Sequence, residues 1–286
     1  MKMKALPAAT LLLCIPGILF RTLHFYRGFE SAAGLPMTST PWLWCYIGLL
    51  ATALIVYFIL ALPLHKKKDI PFEKLLGGKS LLIRMLIVAA GLLLACGGGG
   101  YLYLSLQEFG ITETALASIA EIAYAALTIV AGIACAAMAK IQSAQVVSTG
   151  SAFFTLIPLV WSCMHLLVTY RTTCTDPTLP SFAFSLIADI VLILAFYHLA
   201  RLLYSKPTPV QLGASCALAI TISVSDIGGY GLAWLFGMRS INWSMKMLLR
   251  SGLSVAAGAF LLAELLLLTR SNVQELEETE SVEEPQ

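Results

Sequence analysis

Residues 42 to 64 read WLWCYIGLLATALIVYFILALPL and contain no charged side chain. A run this long and apolar matches the roughly 20 residues needed to cross a hydrocarbon layer about 30 Å thick. Within lipid a lone segment can satisfy its amides only internally, so it reads as a helix. Seven other stretches pass the same test. The predicted spans are residues 5–25, 42–64, 81–104, 114–138, 151–170, 182–204, 209–236 and 249–269. The chain is thus expected to be an all-α integral membrane protein with about eight transmembrane helices.

Composition agrees. Hydrophobic residues make up 58% of the 286 positions and charged residues only 12%, about half the charged share of an ordinary soluble domain. The first span, preceded by MKMK, resembles a signal peptide, but no small-x-small cleavage site follows promptly, so it reads as an uncleaved anchor.

Lysine and arginine in short loops resist translocation and so report orientation. The segment HKKKDIPFEKLLGGK carries Lys66, Lys67, Lys68, Lys74 and Lys79, which predicts a cytoplasmic location for it and, with eight spans, for both termini. Twelve basic residues fall on that side, against Arg21, Arg27, Arg171, Arg239, Lys246 and Arg250 on the other. The cluster between 239 and 250, MRSINWSMKMLLR, reads as a short interfacial amphipathic helix with Trp243 at headgroup depth. The expected location is the plasma (cell) membrane, multi-pass.

The formal charge of +2 hides an asymmetry, because six of the 16 acidic residues lie in the last sixteen positions. Residues 271–286 are therefore expected to be a disordered acidic cytoplasmic tail after a polytopic domain spanning 1–270. The seven cysteines form neither a CxxC pair nor a zinc-type cluster and read as small hydrophobes, with Cys174 the single loop thiol.

Two stretches share a pattern. LLLCIPGILFRTLHFYR at 11 to 27 and FFTLIPLVWSCMHLLVTYR at 153 to 171 both carry Ile-Pro, a later histidine and a Tyr-Arg ending, with Pro16 and Pro158 offset by 142 and His24 and His165 by 141. Gly99-Gly100-Tyr101 similarly matches Gly228-Gly229-Tyr230, and SIAEIA around Glu121 resembles LLAELL around Glu264. These matches predict two parallel four-helix repeats, residues 5–138 and 151–269, related by an axis along the membrane normal.

Glycine-interrupted segments at corresponding places in two halves point to a midplane substrate site in secondary transporters, although close helix packing uses the same residues. The candidate substrate-binding residues are accordingly Gly98, Gly99, Gly228 and Gly229 together with Asp226, Asp189 and Glu121. Asp226, seventeen residues from Pro209 and thirteen from Arg239, falls well inside a span. A carboxylate there must pair, protonate or face water. His24 and His165 invite a proton-relay or metal reading, but beside Tyr26-Arg27 and Tyr170-Arg171 they read as interfacial anchors.

Enzyme signatures are weak. LLGGKSLL contains the Gly-Lys-Ser that ends a phosphate-binding loop, but Glu73 stands where its first glycine belongs. Neither a GxSxG elbow nor HExxH occurs. No catalytic residue, metal, cofactor or nucleic acid is expected. The partners expected are the lipid bilayer and either a small-molecule substrate or another membrane protein. Function divides between a transporter or permease-like protein with a midplane site and a non-catalytic accessory or assembly protein working through helix contacts. An intramembrane enzyme built on Asp189, Asp226 or Glu121 is the third reading, and it requires a carboxylate and a histidine, or two carboxylates, to converge.

Overall fold

The computed structural model describes residues 5–30, 35–37, 40–68, 75–76, 80–109, 115–144, 149–174, 179–204, 207–237 and 243–270. The acidic tail, most of the lysine-rich segment and residues 238–242 of the interfacial-helix reading lie outside them. All the described regular structure is helical apart from one isolated bridge, Phe29 to Pro36.

Eight helices are long and apolar enough to cross a membrane: α1 (Ala5–Arg27), α2 (Pro41–Ala61, extended by a 3-10 turn over Leu62–Lys67), α3 (Leu81–Gln107), α4 (Ala115–Ala144), α5 (Thr149–Thr173), α6 (Leu179–Leu203), α7 (Pro209–Leu235) and α8 (Met245–Arg270). Proline at the first helical position, after Thr40 and Thr208, starts α2 and α7; its missing N–H costs nothing there. Pro16 and Pro158 lie inside uninterrupted helices.

The helices differ in how far they are buried. In α7 and α8, 67% and 72% of the spanning window is buried, whereas α2 and α3 bury only 22% and 28%. Sequence explains the division. α7 is rich in Ala, Gly, Ser and Thr, which let neighbours approach, while α2 is apolar all round and presents Trp44, Ile55, Phe58 and Ile59 outward. The helices α3, α4, α5, α6, α7 and α8 make contacts in chain order, and α8 closes on α3. α1 lies along α7, and α2 packs on both.

The tightest crossing is α3 against α4. A Cβ at Gly91 would stand 2.6 Å from Ala136 N and from Gly132 O, so backbone meets backbone where Gly91 and Ala95 face Gly132 and Ala136.

Two expectations change. The eighth span begins at Met245, not 249, so Lys246 and Arg250 belong to the helix itself and not to an interfacial segment before it. Their charges masked the helix start in the sequence, and partners inside the bundle make them tolerable there. Glu121, near the start of α4, and Glu264, near the end of α8, lie toward opposite ends of the bundle and are not positional equivalents.

The helix contacts give the four-plus-four duplication no further support. Gly98 receives Thr128 and Ile129 of α4, whereas Gly228 receives Ile18 of α1. The extensive contact of α1 with α7 has no counterpart of like extent between α5 and α3.

Candidate functional site

Most of the buried charges, Glu264 and Lys67 apart, gather at the end of the bundle opposite the lysine-rich segment, where α1, α3, α5 and α7 finish. Arg21 of α1 is fully buried. Its Nε and Nη2 donate to Asp226 Oδ1 at 2.8 and 2.6 Å, and its Nη1 donates to His24 Nδ1 at 2.7 Å. A guanidinium only donates, so that ring nitrogen carries no proton. The guanidinium carbon also lies 4.0 Å from the Phe25 ring centre and 4.7 Å from that of Phe184, within cation–π range. Asp226 Oδ2 accepts from the Ser185 hydroxyl of α6.

Four residues along α6 from Ser185 stands Asp189, on the same helix face. Its Oδ1 is 3.2 Å from His165 Nε2 and accepts from Ser254 at 3.2 Å. His165 Nε2 is also 2.8 Å from Ser254 Oγ, and Nδ1 is 2.6 Å from the Tyr124 hydroxyl. With Tyr124 donating to Nδ1 and the Nε2 proton directed at Asp189 and Ser254, every contact of the ring is satisfied by one neutral tautomer. Trp161 stacks on the imidazole at 5.1 Å and donates to Thr128 at 2.9 Å.

A carboxylate and a histidine do converge here, yet the arrangement is not that of a hydrolytic Ser-His-Asp triad. A triad places aspartate on one ring nitrogen and serine on the other. Here Asp189 and Ser254 share Nε2, and a tyrosine occupies Nδ1. The set can hold or pass a proton. It is not arranged to activate Ser254.

The first turns of α8 tie the assembly together through three residues spaced by four. Lys246 Nζ lies 2.6 Å from both Glu108 and Glu121. Arg250 Nη1 donates to Val168 O at 3.1 Å and to Thr172. Ser254 joins His165 and Asp189. One stripe of α8 therefore contacts α3, α4, α5 and α6.

Between α5, α6 and α8 lies a cavity of about 20 Å³, lined by His165, Thr169, Ser185, Asp189, Arg250 and Ser254 among others. That volume admits about one water. Among the described residues, the buried Asp189 Oδ2, Arg250 Nε and Thr169 Oγ1 of its lining have no hydrogen-bond partner. Each residue is at least nine-tenths buried.

Of the residues singled out in the sequence, Asp189 lines this cavity. Asp226 joins it through Ser185, and Glu121 pairs with Lys246 beside it. The glycines lie elsewhere. Gly98 and Gly228 receive neighbouring helices, Gly229 receives the Arg21 stem, and no atom lies within 4 Å of a Cβ placed on Gly99. His24 and His165 are buried at 3% and 1% exposure, which overturns their reading as interfacial anchors; Tyr26 and Tyr170 are exposed. Among the described residues no group of three His, Cys, Asp or Glu is placed to hold a metal ion.

By charge Arg21, Lys246 and Arg250 count toward the outer side rather than toward a buried site, and Ser185 and Ser254 carry no signal alone. The four-residue spacing of Ser185 with Asp189, and of Lys246, Arg250 and Ser254, was the available clue.

Compared with known proteins, the chain matches no family model, no curated protein and no solved structure. The residues themselves must carry the functional reading.

Proposed function

We propose that this polytopic membrane protein is transporter-like and takes a small polar solute between α5, α6 and α8. The observation that carries the reading is that one cavity is lined by Asp189, Arg250 and Thr169, whose buried Oδ2, Nε and Oγ1 atoms are unpartnered among the described residues. Buried polar atoms are nearly always satisfied, because leaving one bare costs about 1–3 kcal/mol. A carboxylate acceptor, a guanidinium donor and a hydroxyl suit a solute that itself carries both donors and acceptors.

The water-sized cavity limits what enters in this conformation. A larger solute requires α8 to shift from α5 and α6, and the polar stripe Lys246, Arg250 and Ser254 consists of contacts that such a shift would exchange. Asp226 and Arg21 adjoin the site through Ser185 and fix the opposite side of α6. The duplicated sequence pattern fits a transporter, but this reading does not depend on it.

The same proposal places the chain in the cell membrane with both termini cytoplasmic. Three of the six basic residues counted against that orientation, Arg21, Lys246 and Arg250, are engaged inside the bundle. They are not loop charges. Arg27, Arg171 and Arg239 remain in the outer count, against twelve on the other side, which favours a cytoplasmic lysine-rich segment.

The test is solute binding to the purified protein in nanodiscs, read by tryptophan fluorescence, because Trp161 stacks on His165 and Trp243 lines the cavity. A panel of amino acids, sugars and polyols is screened, and binders are followed as radiolabelled uptake into proteoliposomes. At least one solute is expected to bind the native protein and to lose binding in both Asp189→Asn and Arg250→Gln. No binder in the panel, or binders indifferent to both substitutions, defeats the proposal.

A further inference from the structure

The lysine-rich half of the bundle holds a buried carboxyl group of its own. At the other end Asp226 faces Arg21, Glu121 faces Lys246, and Asp189 meets His165 and Ser254. Glu264 of α8 is as deeply buried as they are, at 1% exposure, yet its one hydrogen bond comes from a neutral amide: Gln142 Nε2 of α4 donates to Oε1 at 2.6 Å. Among the described residues no charged group bears on it. Cys135 of α4 and Cys216 of α7 are within electrostatic reach of it.

The basic groups on adjoining elements are committed elsewhere or apart. Lys67, beyond α2, donates to Leu268 O at 2.7 Å. His198 of α6 meets Thr208 at 2.9 Å, and Arg201 lies over the Tyr197 ring. Among the described residues no ion pair joins Glu264 to Arg84 of α3 or Lys140 of α4. Two oxygens are left facing no donor, Glu264 Oε2 and Gln142 Oε1. Two acceptors and, among the described residues, no counter-ion, in a setting that penalises charge, call for one small positive occupant.

We propose that Glu264, with Gln142, is a proton-binding site on the lysine-rich side of the bundle, separate from the cavity around Asp189. A proton on Oε2 makes the group neutral and supplies a donor where none stands. When water reaches the site the carboxylic acid gives that proton to it, leaving a carboxylate and a hydronium ion; uptake is the reverse. Glu264 lies six residues before the end of α8, about 9 Å along the helix axis, so exchange needs only a local opening at that end.

The full-length protein in nanodiscs is treated with dicyclohexylcarbodiimide, which attacks protonated carboxyls in apolar surroundings, and adducts are located by peptide mass mapping. Labelling is run between about pH 5 and pH 9, with and without sodium. Expected is an adduct on Glu264 whose yield falls several-fold as pH rises and is unchanged by sodium. Glu264→Gln, which keeps an amide to pair with Gln142, is expected to fold and to lack both that adduct and one protonated-carboxyl band in the infrared spectrum. No adduct at Glu264 at any pH, or a yield flat with pH, overturns the proposal. Protection by sodium at constant pH overturns it too, in favour of a metal-cation site. Neither readout uses a solute, so the result stands apart from that for the cavity.

Discussion

Arg21 Cγ lies 2.6 Å from where a Cβ on Gly229 would stand, and Arg21 Cβ lies 2.7 Å from it. The glycine is thus the recess in α7 through which the Arg21 stem passes on its way to Asp226, one turn earlier on the same helix. Of the two glycine clusters, this position has the clearest use, and the use is to seat a charge.

Gly229→Ala is therefore expected to destabilise the protein by about 1–3 kcal/mol, as overpacking does, even though alanine favours a helix more than glycine. The clashing atoms belong to the root of the Arg21 side chain, which cannot swing aside as its tip might. Gly231→Ala is the control, with no atom within 4 Å of its Cβ, and should lie within about 0.5 kcal/mol of the native protein. Thermal unfolding of the two variants in the same detergent decides. Equal midpoints would mean that Arg21 does not depend on Gly229.

The ion pair yields a sharper expectation. Arg21 and Asp226 have side chains 0% and 4% exposed, so removing either strands the other in a low-dielectric interior. Arg21→Met or Asp226→Leu alone is expected to cost about 3–5 kcal/mol. The double variant should recover most of that loss, since a buried pair can often be exchanged for apolar residues at little cost. A double-mutant cycle from chemical or thermal unfolding measures the coupling. Additive single losses would show that the pair is not the unit that matters.

These residues also show how far the sequence could be read. The eight helices were legible because lipid demands long uncharged runs, and α2 is such a run from end to end. Asp226 could be recognised as a carboxylate inside a span that needed a partner. The partner was not legible: Arg21 looked like the end of the first apolar run, and only folding brings it to a residue 205 positions away. The start of α8 was hidden for the same reason, since Lys246 and Arg250 are costly in a span until Glu108, Glu121 and the end of α5 accept them. What periodicity offered was the four-residue spacing along α6 and α8, which marks a polar face without naming what it meets.

The glycines of α3 divide into structural and unencumbered positions, and substitution should separate them. At Gly91 a Cβ meets the backbone of α4 at 2.6 Å, so Gly91→Ala must push two helices apart and is expected to cost about 2–3 kcal/mol. At Gly99 it meets nothing within 4 Å, so Gly99→Ala should be neutral in stability and in solute binding. Unfolding midpoints check the first pair of expectations and nanodisc binding the second. A loss of binding in Gly99→Ala without loss of stability would return the glycine cluster to the substrate site.

Orientation can be read from thiols. Cys174, just beyond α5, is exposed and free, at the end of the bundle assigned to the outside, whereas Lys66 is exposed in the 3-10 turn at the opposite end. In a chain whose other cysteines are replaced by alanine, Cys174 should react with a membrane-impermeant maleimide in intact cells. A Lys66→Cys variant that also lacks Cys174 should react only after the membrane is permeabilised. The buried thiols Cys14, Cys135 and Cys216 sit among close neighbours, so each alanine leaves only a small gap, and a native unfolding midpoint confirms that the background is sound. The reverse labelling pattern would invert the protein in the membrane. It would then place the Asp189 cavity toward the cytoplasm and the Glu264 site toward the exterior.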